Sequence, residues 1–398
     1  MSNNKYQPTV DALPTPVFVV YEDKIRRNLQ LIDFVRKAAG VEIIMAFKAN
    51  ALWKTFNIFR EYGFKSTASS LNEMRLGNDE LHQLVHSYCP AYTDSTIGEF
   101  LAGSSHITFN SVDQWVRFRD RLDQFNRSGA DHCVSPGLRV NPQCSVIETD
   151  IYNPALPGSR FGVTAEMLGG KLPEGIEGFH FHQLCESTSF DLEKVLEAFE
   201  TQFGQYLDSL KWVNFGGGHL MTRADYDVEH LIKILKQFRQ RHPNLQVILE
   251  PGSAFTWRTG DLITTVVDVV ENQGIRTATI DASFACHMPD TLEMPYQPSM
   301  LLSGTHACPA DKPEDSSFMP YRLGGNSCLS GDYKGYWWTP RELRPGDRLT
   351  LEDMNHYTTV KTNMFNGLQH PDIVLVHSDG SPETLRRFTY EDYRSRMS

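Results

Sequence analysis

The sequence predicts an α/β protein: a (β/α)8 TIM-type barrel followed by a C-terminal β domain. Two observations carry this. Short apolar strands alternate with amphipathic helices over roughly 220 residues, the rhythm of repeated βα units. After about Trp257 the texture changes to paired strands with Pro, Gly and aromatic residues and few long helices.

The elements follow in order. PVFVVYE (Pro16 to Glu22) is a short strand. In the next segment Ile25, Leu29, Ile32 and Val35 recur every three or four residues and Gly40 closes the pattern, which predicts a helix. Ile43 to Phe47 is a strand, and LNEMRLGNDE is helical. LVHSYCPA, SHITFNS, GLRVNP, GFHFHQL, WVNFGGG and QVILEPGS read as further strands. DLEKVLEAFETQFGQYL and DVEHLIKILKQFRQRHP are the clearest helices. DLITTVVDVVENQGIRTATIDAS reads as two strands and a turn, and HACPADKPEDSSFMP as a loop. We place the barrel at 23–262 and the β domain at 263–398, joined by the strand within 1–22.

Composition narrows the function classes. The 398 residues suit two domains. Apolar residues make up 40% and charged residues 22%, ordinary for a globular protein. Lys plus Arg total 38 and Asp plus Glu 49, so the net charge is 38 − 49 = −11. That balance argues against nucleic acid and favours cationic ligands. No run is long enough for a membrane span, and MSNNKYQPTVDALPTP lacks an apolar signal core, so a cytoplasmic location is expected. The 7 cysteines show no C-x-x-C pair, which fits reduced thiols and no metal site.

In such a barrel, chemistry sits at the C-terminal ends of the strands. Lys48 ends the Ile43 strand. His180 and His182 lie two apart in GFHFHQL and share one face. Gly216, Gly217 and Gly218 follow WVNF, and Glu250 ends QVILE. Singly, each has an ordinary reading: a solvated lysine, core histidines, a turn, a loop acid. Together they suit one cofactor. A lysine amine forms a Schiff base with an aldehyde. Backbone N–H groups of a Gly-rich turn hold a phosphate. An imidazole stacks on a ring, and a carboxylate keeps a pyridine nitrogen protonated. Aldehyde, phosphate and pyridine in one molecule make pyridoxal 5′-phosphate (PLP).

The motifs MAFKAN, FHFHQLCES, NFGGGH, LEPG, GNSCLSGD and DMNHYTTVKTNMFNG resemble those of the fold-type III (alanine racemase-like) PLP decarboxylases, the ornithine and diaminopimelate decarboxylase family, in the family's order. HFHQLCE, NPALPGSRFG, HMPDTLEMPY and SCLSGD resemble its carboxynorspermidine/carboxyspermidine branch. The resemblance implies a carboxy-lyase of polyamine biosynthesis. Lys48 would hold PLP covalently, His182 stack on the ring, Gly216 to Gly218 bind the phosphate and Glu250 pair with the ring nitrogen. Tyr357 would reach the phosphate, and Arg139 would lie near the cofactor. Cys328 matches the acid that returns a proton to Cα, on a loop that the family donates across a homodimer.

Two other readings stay beside this one. Racemases of this fold place arginine where Glu250 stands. One-domain PLP carriers lack the region that holds Cys328 and Tyr357. As for substrate, diaminopimelate enzymes of the family carry arginine after Glu-Pro-Gly, where this chain has Ser253. Ornithine enzymes carry aspartate after the cysteine, where this chain has Leu329. A polyamine arm calls for carboxylates along a partly apolar channel, with Asp281, Asp290, Glu293, Asp332 and Glu186 as candidates. Arg160, in GSRFG, has no assigned role.

Overall fold

The computed structural model describes residues 5–294 and 296–398. The chain divides into two units, one spanning Asn28–Phe255 and one combining Met1–Arg27 with Thr256–Ser398.

The first unit is a closed parallel barrel. Its strands run in the order Met45–Ala46, Ser66–Ala68, Val85–Tyr88, Ser104–Phe109, Ser135–Arg139, Gly178–His180, Trp212–Asn214, Gln246–Leu249 and Glu42–Ile43. The strand expected at Ile43 to Phe47 is therefore split. Glu42–Ile43 pairs with Gln246–Leu249 and Met45–Ala46 with Ser66–Ala68, so one stretch of chain closes the barrel. Ile44 and Met45 donate N–H groups to Leu249 and Lys65 at 2.9 Å each, binding one edge and then the other.

Both faces of these strands are covered, which is why they read as apolar runs rather than alternations. Val85, Ile107, Phe109, Leu138, Val213 and Ile248 are all fully buried. The outer helices are bounded by local chemistry. Ser111 caps Val112–Arg127, Thr188 and Asp191 form a capping box on Ser189–Phe203, and Asp227 caps Val228–Arg241. The last of these buries Leu231, Ile234, Leu235 and Phe238. Each such side chain contributes about 1.5–3 kcal/mol of transfer free energy. Phe238→Ala would cost about 3–5 kcal/mol.

The second unit is built on the long strand Gly260–Asn272. It pairs antiparallel with Val17–Tyr21, Arg348–Leu351 and Ile275–Ile280. Val17–Tyr21 also pairs in parallel with Asp372–Val376, so the N-terminal strand is internal to this sheet. Because pairing with Val20 begins at Gly260, the sheet starts before the boundary at 262 expected from sequence. Phe18, Leu262, Ile280, Trp337 and Leu351 lie in its core. The segment read as a loop opens with a strand, His306–Cys308, paired with Met300–Leu302. Among the described residues, no helix is long and apolar enough to cross a membrane.

Candidate active site

Four barrel strands deliver the side chains named from the sequence to one rim, and a fifth adds Asn214. Arg139, His180 and Asn214 are the last residues of their strands, Glu250 follows Leu249, and Lys48 lies two residues beyond Ala46. A cavity of about 300 Å³ opens there, lined by Lys48, Arg139, His180, His182 and Glu250 among others. That volume lies at the lower end of the small-molecule range.

Lys48 is enclosed by protein yet keeps accessible surface, because it projects into this open cavity. Among the described residues its amine has no hydrogen-bond or ion-pair partner. Burial lowers its pKa below the ordinary lysine value, with Glu250 opposing and Arg139 reinforcing the shift. A lysine so placed gives up its proton more readily and is the better nucleophile.

Glu250 is 9% exposed. Burial pushes its pKa up, but His180, Asn214 and Lys48 outweigh this and leave it below the ordinary glutamate value. Asn214 Nδ2 donates to Oε1 at 2.6 Å. His180 Nε2 lies 3.4 Å from Oε2, close enough for electrostatic contact but not aligned as a hydrogen bond. Glu250 is thus a buried carboxylate held ionised.

Burial, then the nearby charges of Lys48 and Arg139, depresses His182 well below the ordinary imidazole value, so the ring is neutral. The N–H of Gly217 meets its Nδ1 at 2.7 Å. Arg139 lies between two rings, its guanidinium 4.7 Å from Tyr88 and 4.5 Å from Phe161, and its buried Nε has no hydrogen-bond partner.

The glycine triplet requires a correction. Gly216 donates its N–H to Asn214 Oδ1 at 2.9 Å and Gly217 to His182, so neither amide is available to a phosphate. Among the described residues, only Gly218 of the three has an N–H without a protein acceptor. All three glycines are still required by packing. An added Cβ would come within 2.4 Å of Phe181 O at Gly216, 2.6 Å of Glu250 O at Gly217 and 2.2 Å of Leu184 O at Gly218.

Two of the five candidate polyamine acids are also corrected. Asp332 accepts from Ser283 Oγ, Ala285 N, Ser327 N and Ser327 Oγ at 2.6–3.1 Å and is 4% exposed. Asp281 accepts from Thr15 and Thr264 hydroxyls and from Thr265 N. Asp332 is saturated by its own unit, Asp281 spends both of its oxygens on it, and both hold its loops together. Asp290 is buried: Tyr296 and Thr358 donate to Oδ2, while Oδ1 has no hydrogen-bond partner. Glu293 is about half exposed and pairs with Lys361. Glu186 is exposed and takes a strained φ of +48°.

In the second unit Cys328 is an exposed thiol whose N–H donates to Asn366 Oδ1 at 2.8 Å. Tyr357 adopts φ +57°, ψ −33°, a conformation that non-glycine residues rarely hold. Sequence reasoning missed Asn214, Tyr88, Phe161 and the Tyr152–Pro154 segment, all beside the named residues. NFGGGH and NPALPGSRFG, the motifs containing Asn214 and Asn153, Pro154 and Phe161, carried a signal.

The donor set fits a pyridoxal cofactor: an unpartnered lysine amine, a neutral imidazole and an ionised carboxylate meet at one cavity. The model of the pyridoxal-dependent decarboxylase family, C-terminal sheet domain, matches residues 18–355. The chain belongs to the pyridoxal-dependent decarboxylases. As a member of that family it is a carboxy-lyase. It is 44% identical over 390 residues to a carboxyaminopropylagmatine decarboxylase from Synechocystis sp., covering 98% of this chain and 97% of that one. It is 36% identical over 390 residues to a carboxynorspermidine/carboxyspermidine decarboxylase from Campylobacter jejuni, covering 97% and 99%. The crystal structure of carboxynorspermidine decarboxylase complexed with norspermidine, also from Campylobacter jejuni, superposes with a TM-score of 0.85 at 35% identity, covering 96% of this chain and 100% of that one.

Proposed function

We propose that this decarboxylase uses pyridoxal 5′-phosphate to remove the carboxyl group of carboxynorspermidine, carboxyspermidine or both, yielding norspermidine or spermidine. The observation that carries this is the convergence of Lys48, His182 and Glu250 on one cavity, in a chain 35% identical to a decarboxylase crystallised with norspermidine.

When bound, the cofactor supplies an electron sink for the electron pair left behind as CO2 departs. Lys48 Nζ would hold it covalently. Glu250, a buried carboxylate, would pair with its ring nitrogen and favour a proton there, which distinguishes decarboxylation from the racemase reading. His182, a neutral imidazole lining the cavity, would pack on the ring. Gly218 N–H would serve the phosphate, and Arg139 would orient the site between its two aromatic neighbours. Cys328 Sγ delivers a proton to the substrate's Cα.

We further propose a homodimer in which the Cys328 loop serves a second copy's site. Leu329 and Phe365 near that thiol are 46% and 51% exposed, as a surface covered by another chain would be. For the substrate arm, Asp290, Glu293 and Glu186 remain the candidate carboxylates. A cytoplasmic setting accords with seven free thiols.

One observation favours a second substrate: identity to the carboxyaminopropylagmatine enzyme is 44%, against 36% for the carboxynorspermidine/carboxyspermidine enzyme. The two arms differ at the far end, guanidinium against ammonium, and a guanidinium pairs with a carboxylate in bidentate fashion. Incubating the holoenzyme with an equimolar mixture and identifying products by mass spectrometry separates the readings. Norspermidine or spermidine as the early product supports the first. The guanidino product alone supports the second.

A further inference from the structure

We propose that Asn366 is a positioning residue for the Cys328 thiol, and so decides which carbon receives the proton once CO2 has left. The inference rests on the reading of Cys328 given above.

The loop 325–332 is closed on itself at its base. The Asp332 carboxylate accepts from Ser327 N and Ser327 Oγ, and Asp332 N donates to Leu329 O at 2.9 Å. The base is fixed to the short helix Phe284–His287, because Ser283 Oγ and Ala285 N donate to the same carboxylate. The tip is held differently. Cys328 is exposed, and so is Leu329. Among the described residues, one hydrogen bond ties 328–331 to a distant segment, from Cys328 N to Asn366 Oδ1 at 2.8 Å.

The segment that carries Asn366 is itself anchored. Asn363 N donates to Cys286 O and Asn363 Nδ2 to Ala285 O, each at 2.8 Å, and Asn363 Oδ1 accepts from Phe365 N at 3.0 Å. Base and tip of the Cys328 loop are therefore both referred to helix Phe284–His287. Asn366 takes φ +57°, ψ +10°, a left-handed conformation that asparagine tolerates better than most side chains. Its amide oxygen must face Cys328, since a backbone N–H needs an acceptor. Asparagine meets two demands here: it turns the chain, and it holds the N–H of the residue that bears the thiol.

The consequence concerns proton delivery. Loss of CO2 leaves an electron pair shared between the substrate's Cα and the cofactor's aldehyde carbon. A proton from Cys328 Sγ to Cα gives the amine product, and solvent restores the proton to the thiolate. A proton to the aldehyde carbon instead, followed by hydrolysis, gives an aldehyde and the aminated cofactor. That outcome balances without any further reactant, because the water used in hydrolysis was released when the substrate amine joined the cofactor. A thiol that swings freely on an exposed tip loses its preference for Cα, since such steps depend on placement to within about 1 Å.

The test measures products as well as rate. Holoenzyme is incubated with carboxynorspermidine, and amine, aldehyde and both forms of the cofactor are quantified by mass spectrometry. Wild type gives the amine almost exclusively. In Cys328→Ala the aldehyde share rises by at least about tenfold. Asn366→Gly keeps the backbone conformation and removes the acceptor, and its aldehyde share rises about 3- to 10-fold, the value of one hydrogen bond. Asn366→Asp keeps an acceptor and stays within about twofold of wild type. A second measurement needs no turnover: hydrogen exchange shows the Cys328 amide protected in wild type and about 3- to 10-fold faster in Asn366→Gly. Should Asn366→Gly fold poorly, the wild-type amide and Asn366→Asp decide. The proposal is overturned if Asn366→Gly keeps the wild-type product ratio, if Asn366→Asp produces about tenfold more aldehyde than wild type, or if the wild-type Cys328 amide exchanges as fast as in an unstructured peptide. A wild-type product ratio in Cys328→Ala would instead sink the reading of Cys328, and this proposal with it.

Discussion

The backbone N–H of Gly217 donates to Nδ1 of His182 at 2.7 Å. This contact places the ring proton on Nε2 and, with burial beside Lys48 and Arg139, keeps the imidazole uncharged. A flat, neutral, oriented ring is what stacking on a cofactor needs. His182→Ala should weaken PLP binding by about 3- to 10-fold, the value of a ring stack. Its ¹⁵N resonances in the native protein should not move between about pH 6 and 9. A midpoint inside that range would show that burial does not govern this residue.

Lys48→Ala should abolish covalent retention of the cofactor. After borohydride reduction and denaturation, wild type should carry the cofactor mass on the peptide containing Lys48, and the variant should carry none. An adduct on another lysine in the wild type would move the reactive amine away from this cavity.

Asp332 gathers four donors from Ser283, Ala285 and Ser327. Asp332→Ala leaves those groups without an acceptor, which costs about 1–3 kcal/mol for each that stays buried. Urea unfolding should report a loss of at least about 2 kcal/mol. A variant of wild-type stability with a raised KM would return Asp332 to the substrate-binding set.

The buried histidines make the fold acid-sensitive. Burial pushes His106, His219 and His287 down to about 4, from an ordinary value of 6.5. Below the ordinary value the unfolded chain takes up protons that the folded protein refuses. Stability therefore declines as pH falls from 6.5 and levels off near 4. For His219, which is 1% exposed, the difference is on the order of 3 kcal/mol at the acid end. Thermal unfolding across this range should show the decline, and His219→Asn should make it shallower by the His219 share while His106 and His287 keep theirs.

Much of this site was legible because barrel chemistry sits at strand ends. Lys48, His180, His182 and Glu250 could be selected by position, Arg139 came from the family resemblance, and all five line one cavity. Asn214 was not legible, because a neutral amide ahead of a glycine triplet carries no charge or reactivity to mark it. The glycine amides were misassigned because the direction of an N–H depends on φ, and here two of them point inward to side chains. Asp281 and Asp332 looked like ligand acids because their partners, Thr15 and Ser283, lie hundreds or tens of residues away in sequence. The split at Ile44 follows from barrel closure, which no local pattern encodes.

The most direct test of the central claim is CO2 release by the holoenzyme from carboxynorspermidine, carboxyspermidine and meso-diaminopimelate, each offered separately. The account predicts release from the carboxylated polyamines and little or none from meso-diaminopimelate. Release mainly from meso-diaminopimelate would contradict it, and would show that Ser253 and Leu329 do not mark the substrate.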